Sequence, residues 1–294
     1  MIIVRLTGGL GNQLFQFFAA YALGKKYGLS VGIDCRHFIR NVGRKYELDK
    51  FKISNYVSVV NTLPLSNPAH WDLLYQIIRR TKFVSIFENV FKEDRFEFNK
   101  SFFSLKIPEK GILYLDGLFQ SYKYFEFIRN DVIDLMSPIS ALSDYSENVL
   151  DRIIGSNSVA IHVRRGDYVS NKGTAAYHGI CSLDYYELAI RKILHEVDSP
   201  EFYIFSDDLL WAKANIVIPS AEVIYVDNKD PSLAHEDLVL MSKCKHNIIA
   251  NSTFSWWPAW LNENQKKIVV VPRQWFQGYK VSTNDLIPDD WIPL

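Results

Sequence analysis

The sequence predicts an α/β protein of two doubly wound domains, and three observations carry that prediction. A β-branched strand at the start of the chain runs straight into a glycine-rich turn and a helix. Between residues 159 and 271 short apolar strands alternate with helical stretches, the pattern of a parallel sheet with crossover helices. A chain of 294 residues is about two domains at roughly 150 residues each, and 48% hydrophobic with 22% charged residues supplies a sizeable core.

Met1 to Leu6 has the texture of a buried strand, Thr7 to Gly11 is the turn, and Asn12 to Tyr27 is helical. Val31 to Asp34 reads as a second parallel strand. Residues 36–110 hold many aromatics and a helical stretch at His70 to Arg80, with periodicity too weak to draw a topology. Gly111 to Leu118 resumes a strand, and Gln120 to Arg129 enters a helix. Ser137 to Ser158, rich in Ser, Pro, Asp and Asn with one helical stretch at Glu147 to Ile154, is the expected connection between domains. Strands then follow at Val159–Val163, Phe202–Phe205, Val223–Val226, Asn247–Ala250 and Ile268–Val271. Helices are expected at Leu183–Val197, Leu209–Asn215, Ser232–Lys243 and Ser255–Asn262. The domains are accordingly set at 1–140 and 155–276, with a C-terminal tail at 277–294. Two such sheets facing each other would place their carboxyl ends around one cleft.

Charge excludes whole classes of partner. The 33 Lys+Arg balance the 33 Asp+Glu, so no bulk field draws nucleic acid or an anionic bilayer, and any anion needs a local site. Cys35, Cys181 and Cys244 form no disulfide framework and no zinc spacing. With no signal-peptide pattern in MIIVRL, a cytoplasmic protein is expected. The uncharged run Leu6 to Gly24 is interrupted by Gly8, Gly9, Gly11, Asn12, Gln13 and Gln16, which argues against a membrane span. Arg79, Arg80 and Lys82 leave peripheral contact with the inner membrane open, although a solvated helix end explains them equally well.

Five motifs fall at strand ends. In GGLGNQ, glycines allow a sharp turn and close approach to a phosphate, and Gly11, Asn12 and Gln13 stand where a helix N-terminus opens. The same loop is a partial dinucleotide fingerprint with Asp34 as ribose acid, but Leu14 occupies the third glycine position. In HVRRGDY, Arg164 shares strand parity with His162 and is the candidate for a bidentate hold on a diphosphate, while Arg165 is expected to be structural. Asp167 is a partner for Arg165, a base or a cap, the ion pair being the first expectation. The Arg165-Gly166-Asp167 tripeptide also matches an integrin ligand, which the lack of a secretion pattern disfavours. In FSDD, Ser206 and Asp207 either cap the next helix or meet a ligand. In HED, Glu236 and Asp237 either face a nucleobase or lie solvated on a helix. In ANSTFSWW, Asn251, Ser252 and Thr253 end a strand as a helix begins, which makes either a second anion site or an ordinary cap.

Absences matter as much. No D-x-D triplet occurs, so the acidic clamp that holds a divalent ion on a sugar-nucleotide diphosphate is missing, and arginine must neutralise the leaving group. No metal site is expected. Neither GxSxG nor HExxH occurs, which leaves an esterase or zinc protease without support.

GGLGNQLFQ (Gly8 to Gln16), GLFQSYKYF (Gly117 to Phe125), HVRRGDY with HGICSLDYY, FYIFSDD and IIANSTFSWWPAWL (Ile248 to Leu261) together resemble the family 11 glycosyltransferases, the bacterial-type α-1,2-fucosyltransferases. The resemblance runs in order from residue 3 to about 276. It implies a GT-B-like architecture of two Rossmann-type domains facing a central cleft, a GDP-L-fucose donor, no metal or other cofactor, and inversion to an α-1,2 product. It further implies a galactose-terminated glycan as acceptor, in surface-glycan synthesis of the O-antigen type. The resemblance maps Arg164 onto the arginine that contacts the donor diphosphate, Asn12 onto the reacting centre, and Ser252, Thr253 and Phe254 onto the GDP-contacting segment. Asp237 or Glu236 becomes a guanine partner, and His162, Arg165, Ser206, Asp207 and Asn251 join Gly11 and Gln13 as donor-side candidates. One departure stands out. In the α-1,6 relatives a glutamate shortly after HxRR is a proposed base, and the equivalent spacing here reaches Lys172, which leaves Asp167, His178 and a leaving-group phosphate oxygen as candidates. The alternatives kept are another GDP-deoxysugar transferase, a noncatalytic nucleotide- or glycan-binding module, and a nicotinamide dehydrogenase.

Overall fold

The computed structural model describes residues 1–40, 43–59, 90–93, 96–107, 112–166, 179–277 and 282–294. The chain divides into unit 1, Met1–Ile139 with Asn284–Leu286, and unit 2, Ser140–Thr283 with Ile287–Leu294.

Unit 1 is a parallel sheet. Its strands are β1 (Ile2–Arg5), β2 (Val31–Asp34), β3 (Val57–Val59), β4 (Val90–Lys92) and β5 (Leu113–Asp116), in the order β3-β2-β1-β5-β4. The strand order reverses direction between β1 and β5. The helix Leu10–Tyr27 leaves β1 and buries Phe15, Phe17, Phe18 and Leu23. Gly28, at φ 66°, ends it in the left-handed conformation. Residues 36–110, which the sequence left without a topology, contribute β3 and β4, three-residue strands with half-exposed or exposed side chains. The helical stretch His70 to Arg80 and the basic residues Arg79, Arg80 and Lys82 lie outside the described residues. The aromatics after β5 form two 3-10 turns before the helix Arg129–Leu135.

Unit 2 holds the second parallel sheet. Its strands are β6 (Asn157–Val163), β7 (Pro200–Ser206), β8 (Glu222–Tyr225), β9 (His246–Ile248), β10 (Val269–Val271) and β11 (Ile292–Pro293), in the order β11-β10-β9-β6-β7-β8. Read from β8, strands one to six of this unit run 3-2-1-4-5-6, the Rossmann order, with its switch point between β6 and β9. Strand alternation sorts the core. Val159, Ile161 and Val163 pack with the helix Leu183–Glu196. Ala160, on the opposite face, packs with the helices Asp144–Gly155 and Ala234–Lys243. Each buried aliphatic of this kind stabilises the fold by roughly 1.5–3 kcal/mol.

Two stretches differ from their sequence reading. Ser143 caps the helix Asp144–Gly155 by accepting the Ser146 N–H, so most of the expected connection is regular structure inside unit 2. The segment after 276 supplies β11 on the sheet edge and, through Asn284–Leu286, a contribution to unit 1. Thus the chain has the two parallel α/β domains of the GT-B architecture. Among the described residues, no helix is long and apolar enough to cross a membrane.

Candidate active site

Register builds the arginine site. All seven residues of β6 pair with β7, ending at Val163 opposite Ser206, so Arg164 leaves the sheet opposite Asp207. The Arg164 Nη1 lies 2.9 Å from Asp207 Oδ2, and the Arg165 N–H donates to Asp207 Oδ1 at 2.8 Å. Asp207 therefore holds the arginine turn and is not the helix cap. Capping falls to Asp208, whose Oδ1 accepts the Trp211 N–H, while the Ser206 hydroxyl accepts the Asp208 N–H. Arg165 has a different environment. Its guanidinium lies 4.0 Å from the centre of the Trp211 ring and its Nε donates to Asp208 at 3.3 Å. This gives Arg165 a structural role, as strand alternation predicts.

His162, 4% exposed, shares the strand face of Arg164. Burial, with Arg164 nearby, pushes its imidazole down to about 3 against the opposing pull of Asp207, so the ring is neutral at physiological pH. Its Nδ1 is buried with no hydrogen-bond partner among the described residues. Its ring lies 5.6 Å from that of Phe254, and the Tyr186 hydroxyl donates to its backbone carbonyl at 3.1 Å.

Across the switch point, β9 leads to Asn251 and the helix Thr253–Leu261. Ser252 is the N-cap, its hydroxyl accepting the Phe254 N–H at 3.3 Å, and Thr253 is the first helical residue. Asn251 is a buried tie. Its amide donates to the carbonyls of Gly179 and Trp275, and its oxygen accepts from the Cys181 thiol. It therefore sets where the strand end lies, which corrects its reading as a donor contact.

The acids of the helix Ala234–Lys243 separate cleanly. Glu236 is buried, and its two oxygens accept the Ser143 N–H at 3.0 Å and the Ser143 hydroxyl at 2.6 Å. That carboxylate joins the helices Asp144–Gly155 and Ala234–Lys243 and is not available to a nucleobase. Asp237 differs: burial pushes its carboxyl up to about 7, Asn228 opposes with a hydrogen bond, and Oδ1 is buried without a partner among the described residues.

The glycine-rich loop of unit 1 is not an anion cradle at its centre. Gln13 is fully buried, donating to the carbonyls of Gly8 and Lys45 and accepting the Glu47 N–H. The Glu47 carboxylate, in turn, takes the Leu10 N–H at the helix start. Gly11 is buried in the first turn. Gln13 and Gly11 are thus interior positions of unit 1. Asn12 is half-buried, its Oδ1 accepting from Gln120 Nε2 at 2.8 Å. Asp34, the expected ribose acid of a dehydrogenase, is 3% exposed. Arg36 holds both of its oxygens, at 2.8 and 2.6 Å, and the Tyr114 hydroxyl donates to it at 2.6 Å. Burial opposes ionisation there, yet the Arg36 and Tyr114 hydrogen bonds hold the carboxyl below its ordinary range. A ribose has no acceptor left to bind.

Asp167, Lys172 and His178 lie outside the described residues. Among the described residues, no group of three or more His, Cys, Asp or Glu side chains is placed to hold a metal ion. Sequence reasoning missed Asp208, Trp211, Tyr186 and Gln120 as supports of the site. Tyr186 and Gln120 sit inside motifs singled out for their pattern, and only the fold gives them a partner.

Comparison with known proteins places the chain in a family. The model of the family "Glycosyl transferase family 11" matches residues 1–294. The chain is 34% identical to the O-antigen biosynthesis glycosyltransferase WbnK of Escherichia coli, over 98% of this chain and 99% of that protein. It is 31% identical to an alpha-1,2-colitosyltransferase of Escherichia coli, over 100% of this chain and 99% of that protein. Among solved structures, the fucosyltransferase NodZ from Bradyrhizobium shares the fold at a TM-score of 0.53 and 15% identity, covering 87% of this chain and 92% of that one.

The reassignment of Glu236 has a measurable consequence. Burial opposes its ionisation, but the Ser143 hydrogen bonds win and hold its carboxyl below the ordinary glutamate range. A depressed folded-state pKa contributes stability that is full above the unfolded value and lost as pH falls through the folded one. Urea unfolding of Glu236→Gln is expected to show a loss of about 1–3 kcal/mol at pH 7 and a shallower decline than wild type on acidification. A variant as stable as wild type at pH 7 would refute the tie.

Proposed function

Since the chain belongs to glycosyl transferase family 11 over its whole length, we propose that it moves L-fucose from GDP-β-L-fucose to the 2-hydroxyl of a galactoside, with inversion to an α-1,2 linkage and without a metal ion. The acceptor oxygen forms a bond to the anomeric carbon, the bond from that carbon to the phosphate oxygen breaks, and GDP leaves with the electron pair. The acceptor hydroxyl gives its proton to a base, for which Asp167, His178 and the leaving-group phosphate oxygen are the candidates. In a loose, oxocarbenium-like transition state the nucleophile needs little activation, so charge on the departing diphosphate dominates the barrier.

The observation that carries this reading is Arg164 at the carboxyl end of β6, beside the switch point and fixed in direction by Asp207. Its guanidinium would take the diphosphate, with the helix start at Ser252 and Thr253 as a second source of N–H and hydroxyl donors. The buried Nδ1 of His162 and Oδ1 of Asp237 lack partners among the described residues, and both suit a nucleoside. Asp237 suits the paired N–H donors of guanine, a task Glu236 cannot share. Phe254 flanks His162. Asn12 serves the reacting sugars. Synthesis of a surface glycan of the O-antigen type is the context the WbnK likeness supports. The alpha-1,2-colitosyltransferase likeness favours a second reading, in which the same site takes another GDP-linked deoxysugar.

Release of GDP from GDP-fucose, with lactose or N-acetyllactosamine as acceptor and EDTA present, tests the reading. Acceptor-dependent release with a new α-1,2 linkage by NMR is the expected result. Turnover with GDP-colitose in place of GDP-fucose would select the second reading, and tight GDP binding with no turnover on any acceptor would leave a binding module.

Arg164→Ala should fall about a hundredfold or more in turnover while keeping its fold by circular dichroism. Wild-type turnover in that variant would remove Arg164 from the mechanism.

Asp237 must be ionised to accept from guanine. With its carboxyl near 7 in the free protein, GDP affinity should rise with pH up to about that value and then level off. Asp237→Asn should bind GDP about ten- to hundredfold more weakly at pH 8 and lose that pH dependence, both read by calorimetry. A wild-type pH profile in Asp237→Asn would exclude it as the guanine partner.

A further inference from the structure

Glu93 directly follows β4, at the carboxyl end of the unit 1 sheet. Its Oε2 accepts two N–H groups, from Leu118 at 2.7 Å and Phe119 at 2.8 Å, in the turn that leaves β5. The approach is so close that a Cβ on Gly117 would meet the Glu93 Cβ at 2.5 Å and its Oε2 at 2.8 Å, so only glycine fits there. Phe119 is held at φ 51°, a left-handed conformation that bulky residues rarely adopt, and its ring is buried against Phe102 and Tyr124. From the other side, Gln16 donates to the Gly117 carbonyl at 3.1 Å and to the Thr7 hydroxyl at 2.9 Å. The turn is therefore clamped between a carboxylate and an amide.

The clamp sets the position of the next residue, Gln120, which is buried and donates to Asn12 Oδ1 at 2.8 Å. Asn12 is confined from behind as well. Gly8 sits at φ 77°, and a Cβ there would meet Asn12 Nδ2 at 2.6 Å. One uninterrupted set of contacts thus runs from Glu93 through a strained turn to Asn12, across the point where the strand order of this sheet reverses. We infer that Glu93 is a positioning residue for the transfer reaction, acting on Asn12 through residues 117–120; the inference rests on Asn12 serving the reacting sugars. A fold could satisfy two backbone N–H groups with water or a loop carbonyl. A carboxylate in their place fixes the turn by charge-assisted bonds and leaves Gln120 one orientation.

The test is a double-mutant cycle of Glu93→Gln with Asn12→Ala, and of Gln120→Leu with Asn12→Ala, reading kcat, acceptor KM, GDP affinity and thermal unfolding. Misplacing Asn12 should lower kcat about ten- to hundredfold in Glu93→Gln and in Gln120→Leu. GDP affinity should stay at the wild-type value, and neither change should lower kcat further once Asn12 is alanine. Multiplicative losses with Asn12→Ala, or wild-type kcat in folded Glu93→Gln, would overturn the inference. Wild-type kcat in Asn12→Ala would instead overturn the role of Asn12 itself. Should Glu93→Gln not fold, Glu93→Asp keeps the charge, shortens the reach and enters the same cycle with the same two outcomes.

Discussion

The seven-residue register between β6 and β7 is the constraint on which the proposed donor site depends. Because Val163 pairs with Ser206, the two residues that follow it meet the acids that follow Ser206, and the arginines emerge already assigned: Arg164 to Asp207, Arg165 to Asp208. A slip of one residue would send His162 and Arg164 to the opposite face. The apolar alternation on both sides forbids it, since Val159, Ile161 and Val163 would then leave the core they share with Ile190 and Ile204. Hydrophobic burial thereby fixes an electrostatic detail. Fixing matters because a guanidinium that must reorganise as charge develops loses most of its advantage.

The same principle operates in unit 1 with other chemistry. Both sheets reverse strand order once, between β6 and β9 in unit 2 and between β1 and β5 in unit 1, and crossovers that diverge there open space outside the strand ends. In unit 2 the residues on either side of that point are Arg164 and Ser252. In unit 1 they are Asn12 and Gln120, joined by a hydrogen bond. Charge against charge aims the first pair's arginine, whereas a strained turn held by a single glutamate aims the second.

Legibility in the sequence followed burial. β6, β7, β9 and β10 of unit 2 stood out to within a residue or two because each is buried along most of its length and reads as an apolar run, whereas β11, two partly exposed residues, fell in the segment read as a tail. β3 and β4, at the edges of their sheet and half exposed, carried no such run. The site was legible to the level of motif and no further. That Arg164 and His162 share a face followed from parity along a strand, and the structure gives the two arginines separate acidic partners, Asp207 and Asp208. What parity does not encode is the partner. Asp207 read as a cap because Ser-Asp before a helix is a capping signal, yet the cap is Asp208, since the register carries Asp207 to Arg164. Gln13 and Asn251 read as donor contacts because amides at strand ends suit ligands, and both are consumed by carbonyls that arrive from distant segments. Gln13 meets Lys45 and Asn251 meets Trp275, and neither pairing leaves a local trace.

Sorting polar groups by whether they are satisfied yields a sharper map of the site than sorting them by type. Asp34 is neutralised by Arg36 and Tyr114, Asp207 by Arg164 and a backbone N–H, Glu236 by Ser143, and Glu93 by two backbone N–H groups. Each of these carboxylates helps to hold the frame, and Asp34, whose two oxygens take four hydrogen bonds, has no acceptor left for a ligand. A buried acceptor left unmatched costs free energy, and folding tolerates it only where something else repays the cost. His162 Nδ1 and Asp237 Oδ1 are such atoms, one neutral and one poised to ionise near neutral pH. An unoccupied acceptor on Asp237 selects for a base with N–H donors, and a neutral imidazole beside Arg164 adds no charge to repel or attract a diphosphate. On the proposed reading, discrimination between bases and the grip on phosphate are separable, carried by Asp237 on a helix and Arg164 at a strand end, and open to independent change.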